Sequence, residues 1–285
     1  MQKKTHPLSL STGATGLVGS RLVARLAAAG TPLRIISRDP AAARARLPLP
    51  RREFFGPADL AAAVDGASGV VNLAGEPIAA RWSPSIKAEI RRSRVEGTAK
   101  LVDAIASTPA ASRPAALVST SAIGYYGTSE TGTFAEDAPA GDDFLAQVCI
   151  DWEREALKAE AAAGVRVVII RAGIVLSREG GALGRMLPVF NAFSGGPLGS
   201  GKQWCSWVHR DDLIALYLAA LNDPSYAGVY NGTAPNPVRM AELCAALGGA
   251  LGRPSWLPVP DFAIKVRDRD TQRERDMERR EGAGA

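Results

Sequence analysis

The chain has 285 residues, 46% of them apolar and 22% charged, with a formal net charge of +5. That length buries a sizeable core as one large domain or as a domain with an appendage, and the composition is that of a soluble globular protein. The arginine excess is scattered, at Arg44, Arg46, Arg51, Arg52, Arg91, Arg92 and Arg94, without interleaved aromatics, which argues for a solvated surface and against nucleic-acid binding. Three separated cysteines, no Cys-x-x-Cys and only two histidines, His6 and His209, point to a reducing compartment and away from a structural metal site. No apolar run is long enough for a transmembrane segment, and residues 1–12 carry no apolar stretch of the secretory-signal kind.

The first strand is expected at Leu8-Ser9-Leu10-Ser11. It is polar for a central parallel strand, which usually reads as continuous Val, Ile and Leu. The turn that follows nevertheless demands a strand before it. Thr12-Gly13-Ala14-Thr15-Gly16-Leu17-Val18-Gly19 has glycines at G-x-x-G-x-x-G spacing and opens a helix over 17–29, with Val18, Leu22 and Leu26 on one side. Glycines permit a tight strand-to-helix turn and a close backbone approach to a pyrophosphate. The free N–H groups and positive dipole end of the helix then face that phosphate. The segment reads as a dinucleotide-binding loop. The alternative, a plain surface turn, is disfavoured by the second strand that follows, Leu33-Arg34-Ile35-Ile36-Ser37.

Phe54-Phe55 marks a weak third strand, with a short helix through Leu60 to Val64. Residues 69–75 form a buried strand ending in Gly75, and a long helix runs from Pro84 to Ala106. A strand over 115–121, a helix over 144–163 and a strand over 166–172 complete the series. Strands alternating with helices imply right-handed βαβ units and a doubly wound parallel α/β sheet. Ligands bind such sheets at the carboxyl ends of the strands, so Gly16, Ser37, Gly75, Ser121 and Gly173 are expected to line one cleft.

After Ile174 the texture changes. Residues 177–210 are rich in Gly and Pro, with Trp204 and Trp207, and read as a small cap beside the sheet. Asp211-Asp212 is expected to cap a helix over 213–222, followed by a strand from Tyr226 to Asn231 and a helix over 238–250. The expected organisation is a dinucleotide-binding Rossmann domain over 1–175, to which later strands return, and a small α/β substrate lobe over 176–264. The charged stretch 265–285 has too few apolar residues to order itself and is expected to be disordered or a frayed helix.

The end of the second strand selects the dinucleotide. A carboxylate there holds the ribose hydroxyl of NAD, whereas an arginine accommodates the extra phosphate of NADP. Ser37-Arg38 offers a hydroxyl and a planar fork of donors, which favours NADP. Asp39, one residue later, is read as the cap of the following turn.

The glycine loop, Asn72-Leu73-Ala74-Gly75-Glu76-Pro77 and Ser93-Arg94-Val95-Glu96-Gly97-Thr98 together resemble an extended short-chain dehydrogenase/reductase. The runs 195–201, Trp207-Val208-His209-Arg210-Asp211-Asp212 and 231–237 narrow the resemblance to an atypical NAD(P)-dependent epimerase/dehydratase-like subfamily with bacterial, animal and plant chloroplast members. Residues 253–262 look most like the plant members. The resemblance implies an NADP cofactor touched by Gly13, Ala14, Thr15, Gly16, Leu17, Val18, Gly19, Ser37, Arg38, Leu73, Ala74, Glu89, Arg94 and Val175. For Leu73, Ala74 and Val175 a core-strand role is compatible with this; for Glu89 and Arg94 the alternative is a solvated helix face. The resemblance also implies a chloroplast location, although no transit peptide is visible and a cytoplasmic one is the alternative.

Two departures qualify the resemblance. Extended members use a Ser/Thr with a Tyr-x-x-x-Lys pair for proton transfer, and no Tyr in this chain has a Lys four residues later. Ser121 matches the catalytic serine, with Tyr125 and Tyr126 just after it; loop packing at a strand end is the competing role. Cys149, near the usual lysine position, reads as core, and His209 as structural. The charged stretch 265–285 also replaces the apolar, Leu-rich helix that members of this family carry there. Two functions follow: an NADP-dependent epimerase/oxidoreductase-like enzyme acting on an unknown small polar molecule, a sugar nucleotide being one candidate, or a non-catalytic NADP-binding regulatory protein.

Overall fold

The computed structural model describes residues 8–79, 82–197 and 199–257, so the expectation for 265–285 lies outside the described residues. In chain order the Rossmann elements are β1 (Ser9–Thr12), α1 (Leu17–Ala28), β2 (Leu33–Ile36), α2 (Pro40–Arg46), β3 (Arg52–Phe55), α3 (Leu60–Val64), β4 (Gly69–Asn72), α4 (Pro84–Ser107), β5 (Ala116–Ala122), α5 (Phe144–Ala163) and β6 (Arg166–Ala172). The chain then leaves the sheet through β7 (Ile174–Ser177), α6 (Gly181–Asn191), β8 (Trp204–Cys205) and β9 (Trp207–His209). It returns through α7 (Arg210–Asn222) and β10 (Gly228–Gly232), and ends in β11 (Val238–Arg239) and α8 (Met240–Leu251).

Seven parallel strands form one sheet in the order β10-β6-β5-β4-β1-β2-β3. The order reverses between β1 and β4, so the crevice at their carboxyl ends is the switch point at which doubly wound sheets bind ligands. Successive strand residues face opposite sides. Val71, Val118, Val168 and Ile170 pack against Leu22, Val23 and Leu26 of α1 and Leu213, Ile214 and Tyr217 of α7. Val70, Leu117, Val167 and Ile169 pack against Val64 of α3, Leu101 and Ile105 of α4 and Ala156 of α5. Burial on both faces explains the unbroken apolar runs of β4, β5 and β6.

Several boundaries differ from the expected ones. β1 is shifted to Ser9–Thr12: Thr12 pairs with Ile36 and Asn72, while the Leu8 carbonyl accepts from Ser68, outside the ladder. β10 begins at Gly228, because the Tyr226 amide closes a turn onto the Asp223 carbonyl. α7 begins at Arg210 and is capped by His209, whose Nδ1 accepts from the Asp211 amide at 3.2 Å. Asp211 is not the cap because its carboxylate binds Arg21 and Arg25 of α1 instead. Two helices were not anticipated. α2 is capped by Asp39, which accepts from the Ala42 amide, and α6 sits within the Gly- and Pro-rich stretch with Pro188 inside it.

Candidate functional site

The glycine loop joins β1 to α1 at the switch point, and its glycines have different physical duties. Gly13 has φ +63°, and a Cβ there would stand 2.5 Å from the Leu73 carbonyl oxygen at the end of β4. A Cβ on Gly19 would stand 2.3 Å from the Gly13 carbonyl oxygen. Both are fixed by internal packing. Gly16, the N-cap of α1, is exposed and would meet only the Gly13 oxygen, at 3.3 Å. Among the described residues nothing else stands near a Cβ at this position, which leaves the backbone there open to a phosphate. The first turn of α1 carries no acidic residue to compete with an anion.

The floor of the crevice is a buried hydrogen-bonded chain. Thr12 Oγ1 donates to Asn72 Oδ1 at 2.7 Å and accepts from the amides of Leu73 and Ala74 at 3.1 and 3.2 Å. Asn72 Nδ2 donates to Thr98 Oγ1 and Ser119 Oγ, and Trp152 Nε1 also donates to Thr98. These contacts fix Leu73 and Ala74, half-buried past β4, beside the glycine loop. Thr12 carries this arrangement and was not singled out in the sequence. Its signal was present, as the hydroxyl immediately preceding the first glycine.

Arg38 lies at the end of β2 with its side chain 82% exposed, its Nη1 3.7 Å from Glu76 Oε2. The neighbouring Ser37 hydroxyl donates to the Asp39 carbonyl at 3.0 Å. Arg94 reaches back from α4 to the end of β4, donating to the Glu76 carbonyl at 2.9 Å, with its guanidinium 5.3 Å from the Trp152 ring centroid. Burial lowers its pKa from the ordinary value. Glu89 is not drawn into this group: it binds Arg92, one turn away, on the outer side of α4. Val175 lies in β7 and pairs in register with Val208.

Ser121, Tyr125 and Tyr126 are brought together by an ion pair. Glu153 of α5 and Arg171 of β6 are both buried and joined twice, Nε to Oε1 at 2.9 Å and Nη2 to Oε2 at 2.8 Å. Ser121, the register partner of Arg171, donates its hydroxyl to Glu153 Oε1 at 2.6 Å. Arg171 Nη1 donates to the Tyr126 hydroxyl at 2.8 Å, and that hydroxyl donates to Asn231 Oδ1 at 2.7 Å. The Arg171 guanidinium carbon lies 3.4 Å from the Tyr125 ring centroid. Burial alone would lower the Arg171 pKa, but its bonds to Glu153 and Tyr126 outweigh that and raise it. The Ser121 and Tyr126 hydroxyls are therefore committed within the protein, whereas Tyr125 is half-buried with its hydroxyl unbonded among the described residues. Cys149 is buried beside Ser121, and burial pushes its thiol up. Glu153 and Arg171 were both missed in the sequence, although a charge inside Val-Val-Ile-Ile-Arg-Ala calls for a partner.

The hairpin between β7 and α6 comes up against Leu17, the first residue of α1. Ser177 and Gly180 pair across a tight hairpin, and Cβ atoms on Gly180 and Gly181 would stand 3.3 and 3.0 Å from the Leu17 side chain. Glu179 at the hairpin tip binds Arg210 of α7 at 2.6 and 2.8 Å.

A parallel sheet with a glycine-rich strand-to-helix turn at its switch point defines a dinucleotide-binding protein of the Rossmann class. The chain belongs to the NAD dependent epimerase/dehydratase family, whose pattern matches residues 10–231. It is 53% identical over 270 residues to the chloroplastic homologue of epimerase family protein SDR39U1 of Arabidopsis thaliana, covering 93% of this chain and 77% of that one. It is similar to human epimerase family protein SDR39U1, solved with NADPH, at 36% identity and a TM-score of 0.79, covering 91% of this chain and 85% of that one. A UDP-glucuronic acid 4-epimerase from Bacillus cereus shares the fold, at 18% identity and a TM-score of 0.76 over 89% and 85% of the two chains. No helix among the described residues is long and apolar enough to cross a membrane.

Proposed function

We propose that this protein binds NADP(H) over the carboxyl ends of β1, β2 and β4 and acts as an epimerase- or oxidoreductase-like enzyme on a small polar molecule, a sugar nucleotide being the first candidate. The observation that carries the proposal is the division of labour in the loop. Gly13 and Gly19 are glycine for packing, while a Cβ on Gly16 would meet only the Gly13 oxygen, at 3.3 Å, among the described residues. When bound, the dinucleotide supplies or accepts a hydride at its nicotinamide. Ala14, Thr15, Leu17 and Val18 complete the phosphate loop, Ser37 and Arg38 take the 2′-phosphate, and Leu73, Ala74 and Val175 line the cofactor through backbone and apolar contact. Arg94 fixes the Glu76 end of that wall. Glu89 has the weakest claim, since Arg92 already satisfies it. Tyr125 is the hydroxyl offered to a ligand, with Glu153, itself bonded by Ser121, and Tyr126 holding Arg171 beneath its ring.

The second reading is a non-catalytic NADP-binding regulatory protein. It is favoured by one observation: the Ser121 and Tyr126 hydroxyls are spent on a buried ion pair and its neighbours, in a chain without Tyr-x-x-x-Lys. Under either reading residues 1–175 serve the dinucleotide and 176–264 the substrate or partner. A plastid location is part of the proposal, supported by the identity to the Arabidopsis relative and tested by imaging a tagged full-length gene product. The deciding experiment is to ask whether NADP(H) co-purifies, then to follow nicotinamide absorbance across a panel of carbonyl and sugar-nucleotide compounds. Turnover supports the enzyme. Tight NADPH binding with no turnover on a wide panel supports the regulator, and equal affinity for NADH and NADPH sinks the NADP assignment.

A further inference from the structure

We propose that Arg46 is a second cation of this site, pairing with the 2′-phosphate of NADP opposite Arg38. The inference rests on the NADP reading above and adds a residue to it. Arg38 and Arg46 flank α2, one just before its Asp39 cap and the other as its last residue. The helix is pinned at both ends, by Asp39 accepting from the Ala42 amide and by the buried Leu47. Between those anchors the Arg46 side chain turns back toward the glycine loop, where Nη2 donates to the Thr15 carbonyl at 3.4 Å, one residue before Gly16. That bond is long, and Arg46 has no carboxylate partner among the described residues. Its neighbours are occupied: Arg44 and Arg52 lie against the Phe54 ring, and Arg51 donates to the Gly30 carbonyl.

The strand register brings the two cations to one place. Thr12 is paired with Ile36, so β1 and β2 end side by side, and the loops that start at Gly13 and at Ser37 leave from neighbouring strand ends. Arg38 lies in the second of these loops, and Arg46 contacts the first. A phosphate monoester carries about −1.5 to −2 charges at neutral pH. Arg38 shares its charge with Glu76 at 3.7 Å, which leaves such a group under-compensated by Arg38 alone. A second guanidinium, planar and able to donate two parallel bonds, makes up the difference.

The test is to titrate the purified full-length protein with NADPH and, separately, with NADH, following nicotinamide fluorescence. Arg46→Ala is expected to weaken NADPH binding by about 10- to 100-fold while NADH affinity stays within about twofold, the range of a lost charged hydrogen bond. Arg46→Lys should recover part of the loss, as a point charge without the fork. Arg46 is exposed, so an unchanged melting temperature for both variants excludes misfolding as the cause. Equal weakening of NADPH and NADH would mean that Arg46 merely orders the loop, and no change in either would mean that it is a solvated surface residue; each overturns the inference while leaving the cofactor assignment intact. An unmutated protein that binds neither cofactor, or both alike, overturns the assignment and the inference together.

Discussion

Ser121 and Glu153 are joined by a buried hydrogen bond, Oγ to Oε1 at 2.6 Å, across the gap between β5 and α5. The serine that resembles a catalytic group thus serves a carboxylate that balances Arg171. Removing Glu153 strands a buried guanidinium, so Glu153→Ala should destabilise the protein by about 3–5 kcal/mol. Ser121→Ala leaves the ion pair standing and should cost about 1.5–3 kcal/mol. Urea denaturation of the two variants measures both. A Ser121→Ala protein as stable as the unmutated one would show that the hydroxyl serves a ligand rather than the fold.

Arg38→Ala should weaken NADPH binding by about 1.5–3 kcal/mol, the range for a bond to a charged group. Because Arg38 is exposed and paired only loosely with Glu76, the substitution should leave the melting temperature unchanged. Calorimetric titration with NADPH, and with NADH as control, checks the size and the selectivity of the loss.

The three glycines of the loop should fail differently. Gly13→Ala forces a side chain against the Leu73 carbonyl at positive φ, and Gly19→Ala forces one against the Gly13 carbonyl, so both should lower stability or abolish folding. Gly16→Ala has room to fold, with one 3.3 Å contact to relieve, and should keep its melting temperature while losing dinucleotide binding. Thermal melts beside fluorescence titrations separate the two behaviours. A Gly16→Ala protein that binds NADPH normally would remove the phosphate from this loop.

Acid should loosen the ion pairs that tie α7 to α1 and to the hairpin between β7 and α6. The Arg21 guanidinium holds the Asp211 carboxyl below its ordinary range, and Arg210 does the same for Glu179. A carboxyl depressed in the folded state contributes stability that is fully present above its unfolded pKa, about 4, and lost as pH falls through the folded value. The melting temperature should therefore drop less between about pH 5 and about pH 3 in Asp211→Asn and Glu179→Gln than in the unmutated chain, measured by scanning calorimetry. The Arg21–Asp211 pair and the Glu179 carboxylate face solvent, whereas Arg210 is buried, so salt should shrink the difference more for Asp211→Asn.

The parallel sheet and the loop were legible because they are local. Apolar runs such as Leu117-Val118 and Val167-Val168-Ile169-Ile170 need burial on both faces, and three glycines at fixed spacing specify a turn by themselves. What escaped was set by distant partners. Asp211 looked like a helix cap, but Arg21, 190 residues earlier, takes its carboxylate and leaves the cap to an imidazole. Glu153 sits among Asp151, Arg154 and Glu155, which are paired at the surface of α5, and only the fold shows that its face turns toward Arg171. The start of α6 was masked by glycines whose flexibility reads as loop, although Gly181 is needed only at the bend onto Leu17.

The seating of Gly180 and Gly181 on Leu17 means that the hairpin after β7 and the first turn of α1 share one contact. Residue 17 is at once the opening residue of α1 and the floor on which the hairpin between β7 and α6 rests. A bulkier side chain at 17 presses on the hairpin, and a Cβ at 180 or 181 asks the Leu17 side chain to give by a few tenths of an ångström. A change in the hairpin is therefore felt first at residue 17, where the helix after the glycine turn begins.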